Sequence, residues 1–199
     1  MDATAALQLT DWRRRVGELY AVVRTHTDPE AGWEAWRSGK QELYAGHPQS
    51  PVPQAARAAY AFRTFAYDTS MRVAANLVAI APRHVDGDGE VPGMTQVGDL
   101  LFTLGGAEHS LGAYWLDGYA GGLFVPFVDG TSGSETYGGG RYVLDTAKGA
   151  DLGHDGDRVV LDFNFAYAPS CAHDARWRCP LAATANRLRL PVRGGERAG

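Results

Sequence analysis

Glycine is spread unevenly along this 199-residue chain: four of its 25 glycines fall in residues 1–86, eighteen in 87–156 and three in 157–199. Glycine adopts backbone conformations closed to other residues, so such density marks a segment that turns often. The middle of the chain is therefore expected to be short strands and tight loops. Strand-like runs occupy 98–104, 110–116, 122–128, 141–145, 159–165 and 186–192, and the joins hold Gly105-Gly106, Asp117-Gly118, Gly130 with Gly133, and Asp155-Gly156. Residues 60–65 and 72–80 read as two earlier strands, the second closed by a turn at Asp86-Gly87-Asp88-Gly89. Short strands with such turns imply a mainly β fold, an antiparallel barrel or highly curved sheet. Strands and helices do not alternate, which argues against a doubly wound parallel sheet.

The glycine-poor start reads as an N-terminal helical pair. Trp12, Val16, Leu19 and Val23 share one stripe at helical spacing. Thr27-Asp28-Pro29-Glu30 opens a second helix, with a cap residue, proline in the first turn and an acid just inside. Trp33, Trp36, Leu43 and Tyr44 continue its apolar face to a stop at Gly46. Three prolines in residues 47–53 then exclude regular structure, and residues 55–59 suit a short helical turn. The expectation is a single domain over 1–199, with the helical segment 1–46 packed on a β portion spanning 59–193.

Five Trp, nine Tyr and seven Phe beside a net charge of −4 indicate a packed core. Nineteen basic residues face 23 acids, so the chain lacks the basic excess of a general nucleic-acid binder. Seventeen of the nineteen are Arg; only Lys40 and Lys148 are lysines. The basic run Arg13-Arg14-Arg15 fits a solvated helix face. No apolar stretch approaches the roughly 18 residues of a membrane span, and residues 1–10 lack a positive leader and apolar core. A cytoplasmic location with reduced Cys171 and Cys179 is the resulting expectation. No motif specifies a cofactor.

Three segments could carry chemistry. The apolar run 123–128 ends at Asp129, and a loop rich in Thr131, Ser132, Glu135, Tyr137 and Gly138-Gly139-Gly140 leads to Arg141. Loops mounted between strands commonly bear binding groups, and the glycines could let backbone N–H groups approach an anion. A long hairpin loop explains the same glycines without a ligand. In 159–165, side chains alternate: Val159, Leu161, Phe163 and Phe165 on one face, Val160, Asp162 and Asn164 on the other. Inside a barrel, Asp162 would need a partner, and Arg141 is the obvious one; a purely structural ion pair or exposure to solvent fits the same residues. Cys171, His173 and Cys179 are candidate metal ligands, with His47, His84, His109 or His154 as a fourth, although the spacing matches no zinc motif. The two thiols could equally form a disulfide or sit in a plain loop. Ser132 lacks the nucleophile-elbow frame, and nothing positions His47 or His109 as a base.

Residues 161–181 (Leu-Asp-Phe-Asn-Phe-Ala-Tyr-Ala-Pro-Ser-Cys-Ala-His-Asp-Ala-Arg-Trp-Arg-Cys-Pro-Leu), with Asn186-Arg187-Leu188 and Gly195-Glu196, resemble a bacterial and archaeal family known as domain of unknown function 1684. So do Pro126-Phe127-x-Asp129-x-Thr131-Ser132-Gly133-x-Glu135-Thr136-Tyr137-Gly138-x-Gly140-Arg141-Tyr142 and the early segment 36–51. The resemblance covers about 33–196 and implies no activity. The chain departs from the family pattern at 61–68, at His173 in place of an aromatic residue, and at 182–185. A ligand newly arrived at position 173 argues against a family-wide metal site.

The best functional expectation is a small-molecule pocket at the barrel mouth or interior. Arg141 would hold an anionic or carbonyl group, Asp162 and Asn164 would orient it, and Asp129, Thr131 and Ser132 would line it. Tyr137 or Tyr114 would stack or donate, and Glu135 with Asp162 are the candidate acid/base residues. An enzyme and a non-catalytic binding module both fit, with no nucleic acid and no membrane as partner. Two further classes compete with the pocket. One is a metal-binding protein or metalloenzyme built on the His and Cys ligands. The second is a structural or interaction domain, in which Asp162 and Asn164 would face water.

Overall fold

The computed structural model describes residues 2–87, 93–118 and 121–198. Two helices, α1 (Ala3–Thr25) and α2 (Pro29–Gly46), precede seven strands: β1 (Arg72–Val85), β2 (Met94–Leu104), β3 (Ala107–Leu116), β4 (Leu123–Phe127), β5 (Arg141–Asp145), β6 (His154–Asp155) and β7 (Arg158–Asp162). The strands form one antiparallel sheet in the order β5-β4-β3-β2-β1-β7-β6. The sheet curls into a half-barrel. Tyr142 on edge strand β5 exchanges both backbone hydrogen bonds with Tyr167, beyond β7, at 2.9 and 3.1 Å. The mainly β architecture with an N-terminal helical pair is the one the glycine spacing implies.

Asp28 caps α2 by accepting from the Glu30 N–H at 3.0 Å, and Pro29 occupies the first turn. α1 starts earlier than its apolar stripe suggests. Asp2 caps it, accepting from the Ala5 N–H at 2.7 Å, and the intervening alanines favour helix without needing burial.

Apolar cores lie on both faces of the sheet. Leu100, Phe102, Leu111, Val125, Phe127, Leu161 and Phe163 pack together on one. Tyr114, Phe124, Tyr142, Val160 and Phe165 meet Tyr20, Trp33 and Trp36 from the helices on the other. Each large side chain so buried stabilises the fold by about 1.5–3 kcal/mol, which holds the helix pair on the sheet.

Three expected strands differ. Residues 60–65 are extended but carry no ladder. Gln41 of α2 bonds both the Tyr60 carbonyl (3.0 Å) and the Phe62 N–H (2.6 Å), and the C-terminal tail takes the Phe65 N–H and Arg63 carbonyl. Residues 186–192 form a strap with a single parallel bridge, Val128–Arg187. β3 and β4 pair only at Tyr114–Phe124 and Trp115–Leu123; beyond them the Asn186 side-chain amide bonds Gly112 N–H, Gly112 carbonyl and Pro126 carbonyl at 2.8–3.0 Å. One side chain thus replaces missing ladder bonds where Pro126 has no N–H to give. The run 159–165 leaves the sheet after Asp162, whose carboxylate accepts from the Asn164 N–H and starts a 3-10 turn. That turn places Phe165 on the helix-facing side rather than beside Phe163. The turn expected at 86–89 lies partly outside the described residues.

Candidate functional site

The loop after β4 is an internally bonded structure that anchors the C-terminal tail. Asp129 is buried and accepts from the Thr131 hydroxyl (2.8 Å), the Ser132 hydroxyl (3.2 Å) and the Val192 N–H (2.7 Å). Thr131 also meets the Thr136 hydroxyl at 3.0 Å. The Gly140 N–H bonds the Tyr137 carbonyl, closing a turn. Gly140 has φ +88°, and a Cβ there would meet the Phe127 carbonyl oxygen at 2.3 Å, so only glycine fits.

Arg141 is fully buried and donates to the carbonyls of Val192 (2.8 Å), Gly194 and Glu196 (3.3 Å), with Asp129 Oδ1 at 3.4 Å. Its expected partner, Asp162, is engaged elsewhere. Asp162 Oδ2 lies 3.4 Å from Arg72, and Oδ1 accepts from the Asn164 backbone and side-chain nitrogens. Burial pushes the Asp162 carboxyl up, opposed by the Asn164 hydrogen bonds and Arg72. The Asn164 amide bonds both the Asp68 N–H (3.0 Å) and carbonyl (2.8 Å), and its backbone carbonyl accepts from Trp33 at 3.0 Å. Asp162 and Asn164 therefore bond to each other and hold residues 68 and 72, while Arg141 holds the C-terminal tail; Arg141 does not join the other two.

Glu135 forms a bidentate pair with Arg193 at 2.9–3.1 Å, and that hydrogen bonding holds its carboxyl below the ordinary range. It stays ionised and is poorly tuned for proton transfer. Tyr137 Oη lies 3.8 Å from Cys171 Sγ, and Tyr114 is buried in the helix-facing core. Cys171 donates its N–H to Cys179 Sγ at 3.4 Å, whereas His173 turns to the Tyr44 and Tyr60 rings and Glu196. Among the described residues no three metal-ligating side chains converge.

Among the described residues, five buried polar side-chain atoms lack a hydrogen-bond partner: Trp36 Nε1 and Lys40 Nζ on α2, Tyr67 Oη, Arg141 Nε and His173 Nε2. Lys40 is 7% exposed, and its Nζ is buried without a hydrogen-bond partner. Four rings surround it, with centroids of Tyr167 at 3.8 Å, Trp36 at 5.1 Å, and Tyr44 and Phe62 at 5.2 Å. Burial lowers its pKa to about 7; Glu196 acts the other way, and Lys148 adds to the lowering. Glu196 is itself buried and pushed up by desolvation, with Lys40, the Ala168 N–H and Arg141 opposing. His173 Nε2 lies 3.4 Å from Glu196 Oε1 without hydrogen-bond geometry, and burial lowers its pKa to about 4, leaving it neutral.

A cavity of about 60 Å³ adjoins this group. α1 supplies Trp12, Val16 and Tyr20 to its wall, α2 supplies Trp36, Lys40 and Tyr44, and Lys148, Tyr167 and Ser170 close the sheet side. Both lysines of the chain line it. A wider groove of about 770 Å³ lies between α1 and α2 near Leu7 and Pro48; in it Asp11 meets Arg15 at 2.8 Å and His47 at 3.2 Å. Lys40 was not among the residues singled out from the sequence, yet a trace was present. The lysine falls four residues after Trp36 and four before Tyr44, within the apolar stripe of α2.

Residues 60–197 match the family described as protein of unknown function (DUF1684). The chain is also similar to an uncharacterized protein of Haloarcula marismortui solved by solution NMR. The two are 34% identical, with a TM-score of 0.63 over 84% of this chain and 93% of that one. No curated protein matches. Among the described residues no helix is long and apolar enough to cross a membrane.

Proposed function

The chain belongs to the DUF1684 family of proteins of unknown function, and we propose that it binds a small carboxylate-bearing molecule in the cavity at Lys40. One observation carries this reading: a buried amino group, ringed by four aromatic side chains, has no acceptor among the described residues. Buried polar groups are almost always partnered, because desolvation without a hydrogen bond costs about 1–3 kcal/mol. An anionic ligand would supply the missing acceptor, and Lys148 on the same wall would add a positive charge.

The volume of 60 Å³ limits the ligand to about four to six non-hydrogen atoms, if each occupies the space of one water. The small-molecule function expected from the sequence is kept, but its location moves. Arg141, Asp162 and Asn164 have partners inside the fold and act in this reading as scaffold.

Thermal unfolding with acetate, propionate and glyoxylate tests the proposal. Stabilisation is expected for the wild type and is lost in Lys40→Met and weakened in Lys148→Gln. Equal shifts in all three proteins would refute it.

A further inference from the structure

We propose that Lys40 is a nucleophilic lysine that captures the carbonyl carbon of a small 2-oxo acid as an imine, with Lys148 holding the carboxylate. The inference rests on the ligand site proposed above and adds the chemical class of its occupant. Lysine nucleophiles are activated by removal from water or by a neighbouring cation. Lys40 has both. Trp36, Tyr44, Phe62 and Tyr167 wall off its Nζ, and Lys148 lines the same cavity. No acceptor among the described residues fixes the nitrogen, so it is free to turn toward the cavity that Lys40 lines. A pKa near 7 leaves a large share of neutral amine at neutral pH.

The two lysines divide the work. Lys148, 48% exposed and 3.0 Å from Asp145, reaches the cavity from its wetter side, where it can meet a carboxylate. Lys40 is the buried one of the two. The Nζ lone pair attacks the carbonyl carbon, the C=O π pair moves to oxygen, and one N–H proton passes to that oxygen. Loss of the second N–H proton with the hydroxyl releases water and leaves C=N. No oxidant or reductant is consumed. A proton from solvent makes the imine cationic, a state the faces of surrounding rings stabilise without hydrogen bonds. Glyoxylate and pyruvate fit the size limit.

The test uses the full chain with glyoxylate or pyruvate and cyanoborohydride, which reduces an imine to a stable secondary amine. Intact mass and peptide mapping then locate the adduct, with Lys148 and the N-terminal amine as internal controls. Lys40 should carry it, at least about tenfold ahead of Lys148, because the cavity holds the carbonyl carbon against its amine. Labelling at Lys40 should saturate with 2-oxo acid concentration, while labelling of the N-terminal amine rises linearly. Lys148→Gln should raise the half-saturating concentration yet keep the adduct. No adduct at Lys40, or adducts spread evenly over the three amines, overturns the proposal. If propionate still stabilises the protein in that case, carbonyl capture falls and the carboxylate site stands. If propionate does nothing, both fall. Because the wild-type map carries its own controls, the result does not depend on any variant folding.

Discussion

Tyr167 connects the only two lysines of the chain. Lys40 Nζ lies 3.8 Å from the centre of its ring, and its hydroxyl donates to Asp145 Oδ2 at 3.1 Å, the same oxygen that Lys148 Nζ approaches at 3.0 Å. The ring therefore packs against one lysine while the hydroxyl shares a carboxylate with the other. Tyr167→Phe keeps the ring and leaves buried Asp145 short of one donor. Urea unfolding should register a loss of about 1–3 kcal/mol, with 2-oxo acid labelling at Lys40 retained.

Lys40 should make stability depend on alkaline pH. Its folded pKa of about 7 lies below the ordinary 10.5. Between these values the unfolded chain holds a proton that the folded chain does not. Stability therefore rises with pH across this window, with a slope approaching about 1.4 kcal/mol per pH unit, and the contribution is flat below about pH 7. Lys40→Met should remove that rise, so urea midpoints at about pH 7.5 and about pH 9.5 should converge on one value once the titrations common to both proteins, of the tyrosines and Cys171, are subtracted. Parallel pH profiles for the two proteins would mean an ordinary amine.

Arg141 should matter to folding more than to ligand. Removing it leaves the carbonyls of Val192, Gly194 and Glu196 and the Asp129 carboxylate without their shared donor. Breaking such a buried charged cluster typically costs about 3–5 kcal/mol. Arg141→Met should unfold at lower urea and expose residues 192–198 to limited proteolysis, while the folded fraction binds propionate as before.

His173 adds dependence at acid pH. Burial first, then Lys40, lowers its pKa to about 4 from the ordinary 6.5. The unfolded chain takes up the proton first, so stability falls as pH drops through this interval. His173→Gln should reduce that fall, read as the difference between the two urea profiles so that Glu196, titrating in the opposite sense, largely cancels.

Local patterns made much of the fold legible. The cap at Asp28, the stop at Gly46 and the turn glycines at 105, 106, 118, 133 and 156 depend on near neighbours, and they appear where the sequence places them. Residues 60–65 and 186–192 have strand composition, but their backbone partners are Gln41, Asn186 and the C-terminal tail, which no local window contains. Arg141 and Asp162 invited pairing as opposite charges on strand-like runs consecutive in the sequence, but four strands separate β5 from β7 in the sheet. Asp129 and the tail carbonyls claim Arg141 instead, and Arg72 claims Asp162. Lys40 was legible only as a polar residue on an apolar helix face, because Trp36 and Tyr44 flank it on α2 but Phe62 and Tyr167 come from distant segments of the chain.

Backbone amide NMR during a propionate titration tests the location of the site most directly. The account predicts saturable shifts clustered at residues 40, 44, 148, 167 and 170, around the cavity. Shifts confined to 129–141 and 162–164, or none at all, would contradict it.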